Sequence, residues 1–503
     1  MPTRPSVRSR TVVAGGVFAV LLAAALITNP PWRRLDSSAS VDGLDARIDA
    51  LLAEPFLEPV HVGVRVVSLE SGEVLYDHAS AKRYHPASNL KLLTALTALR
   101  TLPADHRFPT RISADAPPDD DGVLHGDLYI RGHGDPEFDV EELREMTARI
   151  AAGGLTRITG DVVYDDTCFD DRTTGAGWAW EDDARRSWTP IHALTINENR
   201  VEVFVQAGDA VGDTLIYEIS PVTSFVTVIN EGRTAPAGDA EAAAAHTIRK
   251  QWYPQANCVL IHGDRPLDDP PSTHFINVDD GAAYCATLLL EALRAEGVAV
   301  DGGIRPGVTP ADAPQLALHL SQPLEKILRR AIKNSDTLTA ELLLRAVAVQ
   351  EFGEPGSAEN GLKVMRRVLG ELGLDEADYR VADGSGLSRY NLISPALMTT
   401  LLRNARRDPE LGPVLRRLLP VAGVDGTLRL RMVDGPAARN LHAKTGTLRG
   451  ASNLSGFVTT ADGEELVFSI MMAQYLDETA QVRDVQDRLG ELLAGFHRQW
   501  TEE

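Results

Sequence analysis

The sequence predicts an α/β protein whose two chain ends build one domain around a strand-rich insertion. Three observations carry this. Residues 60–75 alternate as half-buried strands with Ser71-Gly72 at the turn, and an apolar helix follows from Ser88. From 108 to 300 the texture changes to short strands broken by Gly/Asp turns. The chain ends in a hairpin over 454–473, with Asp462-Gly463 at its turn, and an amphipathic helix over 478–496. Pairing of the first strands with the last hairpin would make the middle an insertion. A chain of 503 residues is in any case too long for one ordinary core.

Taken in order, the N-terminus places Arg4, Arg8 and Arg10 before an uncharged apolar run over 11–27, then Pro30, Pro31, Arg33 and Arg34. This reads as an export signal with a weak cleavage site at Ala23-Ala24-Ala25. The run is longer than a usual signal core and slightly short for a spanning helix, so an uncleaved membrane anchor stays open. A polar linker, 36–40, closes this region, which we bound at 1–43. The helix over 88–99 repeats apolar residues at helical spacing, and Pro86 marks its start. Within the insertion, strands are expected at 126–130, 160–164, 201–205 and 225–229, and 234–245 is Ala/Gly/Pro-rich like a linker. Helical segments follow at 281–295, 323–352 and 360–372. The outer domain is therefore drawn over 44–107 and 301–503, with 108–300 inserted.

Composition narrows the function. The formal net charge of −21 argues against nucleic acid as a partner, since phosphate binding would need a basic face that is not evident. Asp119, Asp120 and Asp121 lie in a segment without the Gly-Lys-Ser/Thr of a phosphate loop. His125 and His133 lack a His-x-x-x-His ligand spacing. No metal or cofactor is implied. Export would permit one disulfide among Cys168, Cys258 and Cys285, and a Cys258–Cys285 bridge and three buried thiols both stay open.

The chemistry lies in three short strings, Ser88-Asn89-Leu90-Lys91, Ser335-Asp336-Thr337 and Lys444-Thr445-Gly446. The chain holds seven lysines against 43 arginines, and two of the seven sit in these strings. Arginine cannot give up its proton, whereas a desolvated lysine can, so lysine here points to base chemistry. In Ser-x-x-Lys at a helix start, Lys91 can reach the hydroxyl of Ser88, and the helix N-terminus favours an alkoxide and a neutral amine. Lys444 and Thr447, on a strand before the terminal hairpin, can hold a carboxylate, and Gly446 lets a substrate backbone approach. The hydroxyl of Ser335 could relay a proton between Ser88 and Lys444. Each string alone is ordinary: a helix start, a helix cap and a strand-end turn. Their order and company make the case.

Together the strings match the Ser-x-x-Lys, Ser-Asp-Asn and Lys-Thr-Gly set of penicillin-binding proteins and serine β-lactamases. The long insertion, Lys333-Asn334-Ser335-Asp336 leading to Glu341-Leu342-Leu343-Leu344-Arg345, and Asp383-Gly384-Ser385-Gly386-Leu387-Ser388-Arg389 narrow it. So do Gly126-Asp127-Leu128-Tyr129, Gly134-Asp135-Pro136 and Ala193-Leu194-Thr195-Ile196-Asn197. From about Leu44 onward the chain resembles the class C low-molecular-mass penicillin-binding proteins, the D-alanyl-D-alanine carboxypeptidase/endopeptidase family. The resemblance implies an antiparallel sheet flanked by helices, with two nested insertion domains. It implies that Ser88 attacks the carbonyl between two D-alanines, with Lys91 as base and the N–H groups of Ser88 and Thr447 as oxyanion hole. Ser335 would protonate the leaving amine, and Lys444 with Thr447 would bind the terminal carboxylate. Thr337, Thr445, Gly446, Leu387 and Arg389 would line the substrate, and Asp170 or Asp171 could meet a free amine on the stem peptide. The implied partners are peptidoglycan stem peptides and, as covalent inhibitors, β-lactam antibiotics, in the periplasm or another extracytoplasmic compartment.

One departure stands out. The second motif usually ends in Asn, whose amide both donates and accepts, and Thr337 offers one hydroxyl on a shorter arm. The alternatives are a β-lactamase or esterase on the same fold, or a catalytically impaired wall-binding homologue. The large insertion and the absence of a recognisable deacylating Glu motif weigh against the first.

Overall fold

The computed structural model describes residues 41–179, 189–251, 257–476 and 479–498. The expected export segment lies outside them. Among the described residues no helix is long and apolar enough to cross a membrane.

The first and last strands do pair. An antiparallel sheet runs in the order His442–Leu448, Ala451–Thr459, Glu465–Ala473, His61–Ser68, Val74–His78. The register sets His61 against Ala473 and Ser68 against Leu466, which closes the chain ends into one sheet. Its alternation sorts side chains into two cores. On strand Glu465–Ala473, Leu466, Phe468, Ile470 and Met472 face the helices Val41–Leu52 and Thr479–Ala494. Val467 and Met471 face the opposite layer, helices Lys91–Thr101, Leu324–Asn334, Thr337–Phe352, Ala358–Glu371, Pro395–Arg407 and Leu411–Leu418. Helices on both faces explain why His61–Ser68 is buried almost throughout and not at alternate positions, as its pattern had suggested.

The helix carrying the first motif is the centre of the second layer. Leu92, Leu93, Leu96 and Ala98 are fully buried, and each leucine contributes about 1.5–3 kcal/mol of burial. Its start differs from expectation: Ala87–Leu90 is a 3₁₀ turn, and the α-helix begins at Lys91.

The inserted region has its own core. Its largest sheet runs Ile304–Pro306, Val162–Asp165, Leu128–Gly132, Pro109–Ala114, Gln315–Leu320. The boundary drawn at 300 therefore falls inside this sheet, because Gln315–Leu320 pairs back onto Pro109–Ala114. A second sheet, Ser272–Asn277, Arg200–Gln206, Ile216–Ser220, and a third, Thr227–Asn230, Cys258–His262, Thr247–Gln251, follow. The stretch read as a linker over 234–245 holds a strand, Thr234–Ala235, and a helix, Ala240–Ala245, capped by Asp239. Helix Gly281–Ala295 stands where its period put it.

All three cysteines are unbridged and buried. The Cys258–Cys285 bridge that the sequence left open is thus not made: Cys258 lies on a strand of the third sheet and Cys285 inside helix Gly281–Ala295. Burial pushes both thiols up.

Candidate active site

Four segments from distant parts of the chain meet at Ser88. The first is the 3₁₀ turn. Ala87 is held at φ 48°, a left-handed conformation unusual for a residue with a Cβ, and such strain persists only where the surroundings over-determine it. Strand Ala451–Thr459 does so: Asn453 Nδ2 donates to the carbonyls of His85 and Pro86 at 2.9 and 2.8 Å, and buried Asn89 donates to Ser455 Oγ at 2.8 Å. The tight turn and the first helical residue bring Lys91 Nζ to 3.0 Å from Ser88 Oγ.

Lys91 is 2% exposed. Its Nζ also donates to the Ser385 carbonyl at 2.7 Å and lies 3.4 Å from Thr337 Oγ1. Burial lowers its pKa to about 8, against the opposing pull of Asp383, Asp336 and Glu341.

The second segment is the break between helices Leu324–Asn334 and Thr337–Phe352. Ser335 takes φ 60°, ψ 40°, ending the first helix, and Asp336 caps the second by accepting from Leu338 N at 3.0 Å and Thr339 Oγ1 at 2.6 Å. This places Thr337 against Lys91 and aims Ser335 at the third segment, strand His442–Leu448. There Lys444 Nζ donates to Ser335 Oγ at 2.9 Å and to the Thr445 carbonyl at 2.7 Å. Lys444 is fully buried, and desolvation, then the charge of Lys91, drives its pKa well down. Two ammonium groups in so dry a site oppose one another, which lowers the Lys444 pKa further.

Gly446 has a duty beyond the expected one. A Cβ there would stand 2.5 Å from the Pro86 carbonyl and 3.0 Å from Asn89 N. The glycine admits the nucleophile turn itself. Thr445 Oγ1 donates to Thr427 Oγ1 at 2.7 Å. Thr447 is exposed and accepts from Arg483 Nη2 at 3.1 Å, a contribution of the terminal helix that no local pattern announces.

The fourth segment is the loop over 383–389. Buried Asp383 accepts from Gly386 N, Ser388 N, Asn391 Nδ2 and Trp178 Nε1, at 2.7–3.0 Å. Glu341 Oε1 accepts from Gly384 N and Ser385 N, both at 2.9 Å. Burial, then Asp383, raises the Glu341 pKa to about 7, and Arg345 opposes this. These two carboxylates fix the carbonyl of Ser385 that Lys91 contacts. Gly386 is needed at φ +85°, where a Cβ would meet the Ala87 carbonyl at 1.9 Å. Leu387 is buried and Arg389 is exposed beside the Arg449 carbonyl, 3.5 Å away. Asp170 Oδ1 lies 3.5 Å from Nε of buried Arg345, and Asp171 is exposed.

The structure thus brings Ser88, Lys91, Ser335, Thr337, Lys444, Thr445 and Gly446 together, with Thr447, Leu387 and Arg389 around them. Asn89, Glu341 and Asp383, which the motifs contain without announcing a supporting duty, and Asn453, which lies outside them, are the supports. A cavity of about 780 Å³ opens from Ser335, Thr337 and Thr427 toward Arg330, Glu198 and Arg200.

Comparison with known proteins gives the constellation its setting. A D-alanyl-D-alanine carboxypeptidase from Actinomadura sp. (strain R39) is 36% identical over 481 residues, 91% of this chain and 88% of that one. The D-alanyl-D-alanine carboxypeptidase DacB of Haemophilus influenzae is 29% identical over 83% of this chain and 86% of its own length. The crystal structure of penicillin binding protein 4 (dacB) from H. influenzae superposes with a TM-score of 0.78 at 28% identity, covering 89% of this chain and 99% of that one. The fold is therefore the penicillin-binding-protein-like α/β domain with its strand-rich insertion. The model of the D-Ala-D-Ala carboxypeptidase 3 (S13) family matches residues 44–495, and the chain belongs to that family.

Proposed function

We propose that this protein is an exported serine D-alanyl-D-alanine carboxypeptidase acting on cell-wall peptidoglycan through an acyl-enzyme, and that penicillins acylate the same serine. The observation that carries this is the 3.0 Å contact of Ser88 Oγ with the amine of buried Lys91, whose pKa is down at about 8. A neutral amine at that distance can take the hydroxyl proton as Oγ attacks the carbonyl between the two D-alanines. The N–H groups of Ser88 and Thr447 receive the oxyanion. The proton returns to the leaving amine through Ser335, whose Oγ is bonded to Lys444. As the C–N bond breaks, D-alanine departs, and water then hydrolyses the ester at Ser88.

Thr445 and Thr447 bind the terminal carboxylate, with Lys444 behind them; Leu387 and Arg389 border the remaining stem peptide. The crystallised H. influenzae relative, complexed with a β-lactam, supports covalent inhibition of this chain by that class. Export rests on the segment over 11–27, which either is cleaved or anchors the protein in the membrane. The domain division is retained with its second boundary moved to about Leu320.

Release of D-alanine from a pentapeptide, with Ser88→Ala as control, is the test. Release by the native chain alone is expected. No release, with no lasting penicillin adduct, sinks the peptidase reading, and rapid turnover of the penicillin favours the β-lactamase.

A further inference from the structure

The terminal helix Thr479–Ala494 buries Val482, Val485, Leu489 and Leu493 against the main sheet, and one of its turns also reaches the edge of the active site. Buried Gln486 donates through Nε2 to Ser452 Oγ at 3.2 Å, and Ser452 is the cross-strand partner of Thr447. Arg483 lies three residues before Gln486, hence on the same face of the helix. Its Nη2 donates to Thr447 Oγ1 at 3.1 Å. Arg431 Nη2 holds this turn in place by donating to the Arg483 carbonyl at 3.3 Å and to Gln486 Oε1 at 3.2 Å.

The charges nearby leave the Arg483 guanidinium uncommitted. Asp484 pairs with Arg488 Nε at 2.9 Å, and Asp487 with Arg431 Nη2 at 2.7 Å. Among the described residues no carboxylate lies within ion-pair distance of Arg483, and Thr447 is the one group its side chain hydrogen-bonds. Arg483 and Thr447 are both exposed. Lys444, by contrast, is fully buried, with its amine on Ser335 Oγ and the Thr445 carbonyl. A carboxylate that reaches the Thr447 hydroxyl from solvent thus stands one hydrogen bond from a guanidinium. Thr447 has a single hydroxyl proton, and because its Oγ1 accepts from Arg483, that proton is left to donate to the carboxylate. The remaining N–H groups of Arg483 form a permanently charged fork that matches carboxylate geometry.

We propose that Arg483 is the residue that selects for a carboxylate-terminated substrate: its guanidinium, together with the hydroxyl of Thr447, takes the carboxylate of the departing D-alanine. The inference rests on the peptidase reading above, and it adds to that site a cation that none of the three motifs supplies.

The test measures kcat/KM for cleavage of a pentapeptide ending in D-alanyl-D-alanine and of the same peptide with its C-terminus as a carboxamide. For Arg483→Gln the value on the carboxylate peptide should fall about tenfold, the effect of one charge-assisted contact, chiefly through KM. Arg483→Lys should stay within about threefold of native. On the carboxamide, Arg483→Gln and the native chain should agree within twofold. A value within twofold of native for Arg483→Gln on the carboxylate peptide overturns the assignment. So does an equal loss on both peptides, which marks a structural role only, and so does an Arg483→Lys chain as impaired as Arg483→Gln. A native chain that releases no D-alanine overturns the peptidase reading itself.

Discussion

The proton on Lys91 offers the sharpest prediction. Burial disfavours the charged amine and brings its pKa to about 8. The catalytically competent, neutral form therefore exists above that value and is lost as pH falls through it. It amounts to about one-half of molecules at pH 8, about one-tenth at pH 7 and about one-hundredth at pH 6. The second-order rate of acylation by a chromogenic cephalosporin, followed by stopped-flow absorbance, should fall about tenfold per pH unit below 8 and level off above 9. Lys91→Arg removes the titration altogether, since guanidinium stays charged. Its rate should drop about 10²- to 10⁴-fold, the usual share of a general base, and its profile should be flat across this range. A native rate that is constant between pH 6 and 8, or an arginine variant within tenfold of native, refutes Lys91 as the base.

Other perturbations follow from the packing. Gly446→Ala sets a methyl 2.5 Å from the Pro86 carbonyl, so the nucleophile turn or the strand must shift, and acylation should fall about 100-fold in a protein whose circular dichroism is native; a folded variant within threefold of native contradicts the assigned role of this glycine. Thr337→Asn lengthens the arm that stops 3.4 Å from Lys91 Nζ and should raise penicillin acylation by up to about tenfold, the worth of one good hydrogen bond to a charged group; an unchanged or lower rate shows that Thr337 is no handicap. Dithiothreitol should leave the thermal midpoint unchanged, because all three cysteines are free thiols; a drop of several degrees reveals a bridge.

The local part of the site was legible because its geometry is local. Ser88 and Lys91 are three residues apart, and any helical start puts them together. What periodicity could not separate is a 3₁₀ turn from an α-turn over Ala87–Leu90, since periods of 3 and 3.6 barely differ across four residues. Ser335-Asp336 read equally well as a helix cap, and in fact it is one: the same Asp336 that caps Thr337–Phe352 positions the motif. The duties of Glu341 and Asp383 escaped because their partners are backbone N–H groups on a loop about forty residues away and within the loop itself. The insertion boundary failed for a similar reason, as Gln315–Leu320 belongs to its sheet only through pairing with Pro109–Ala114. The burial of Lys444 adds to an expectation drawn from charge alone. A residue read as a cation for substrate carboxylate is desolvated, which lowers its pKa, and its amine hydrogen-bonds Ser335 Oγ.

The central claim, that Ser88 is the acylated nucleophile, is tested most directly by intact mass and peptide mapping after exposure to benzylpenicillin. The account predicts one penicilloyl group per chain, carried on the peptide containing Ser88 and absent from Ser88→Ala. An adduct on another residue, or undiminished labelling of Ser88→Ala, contradicts it.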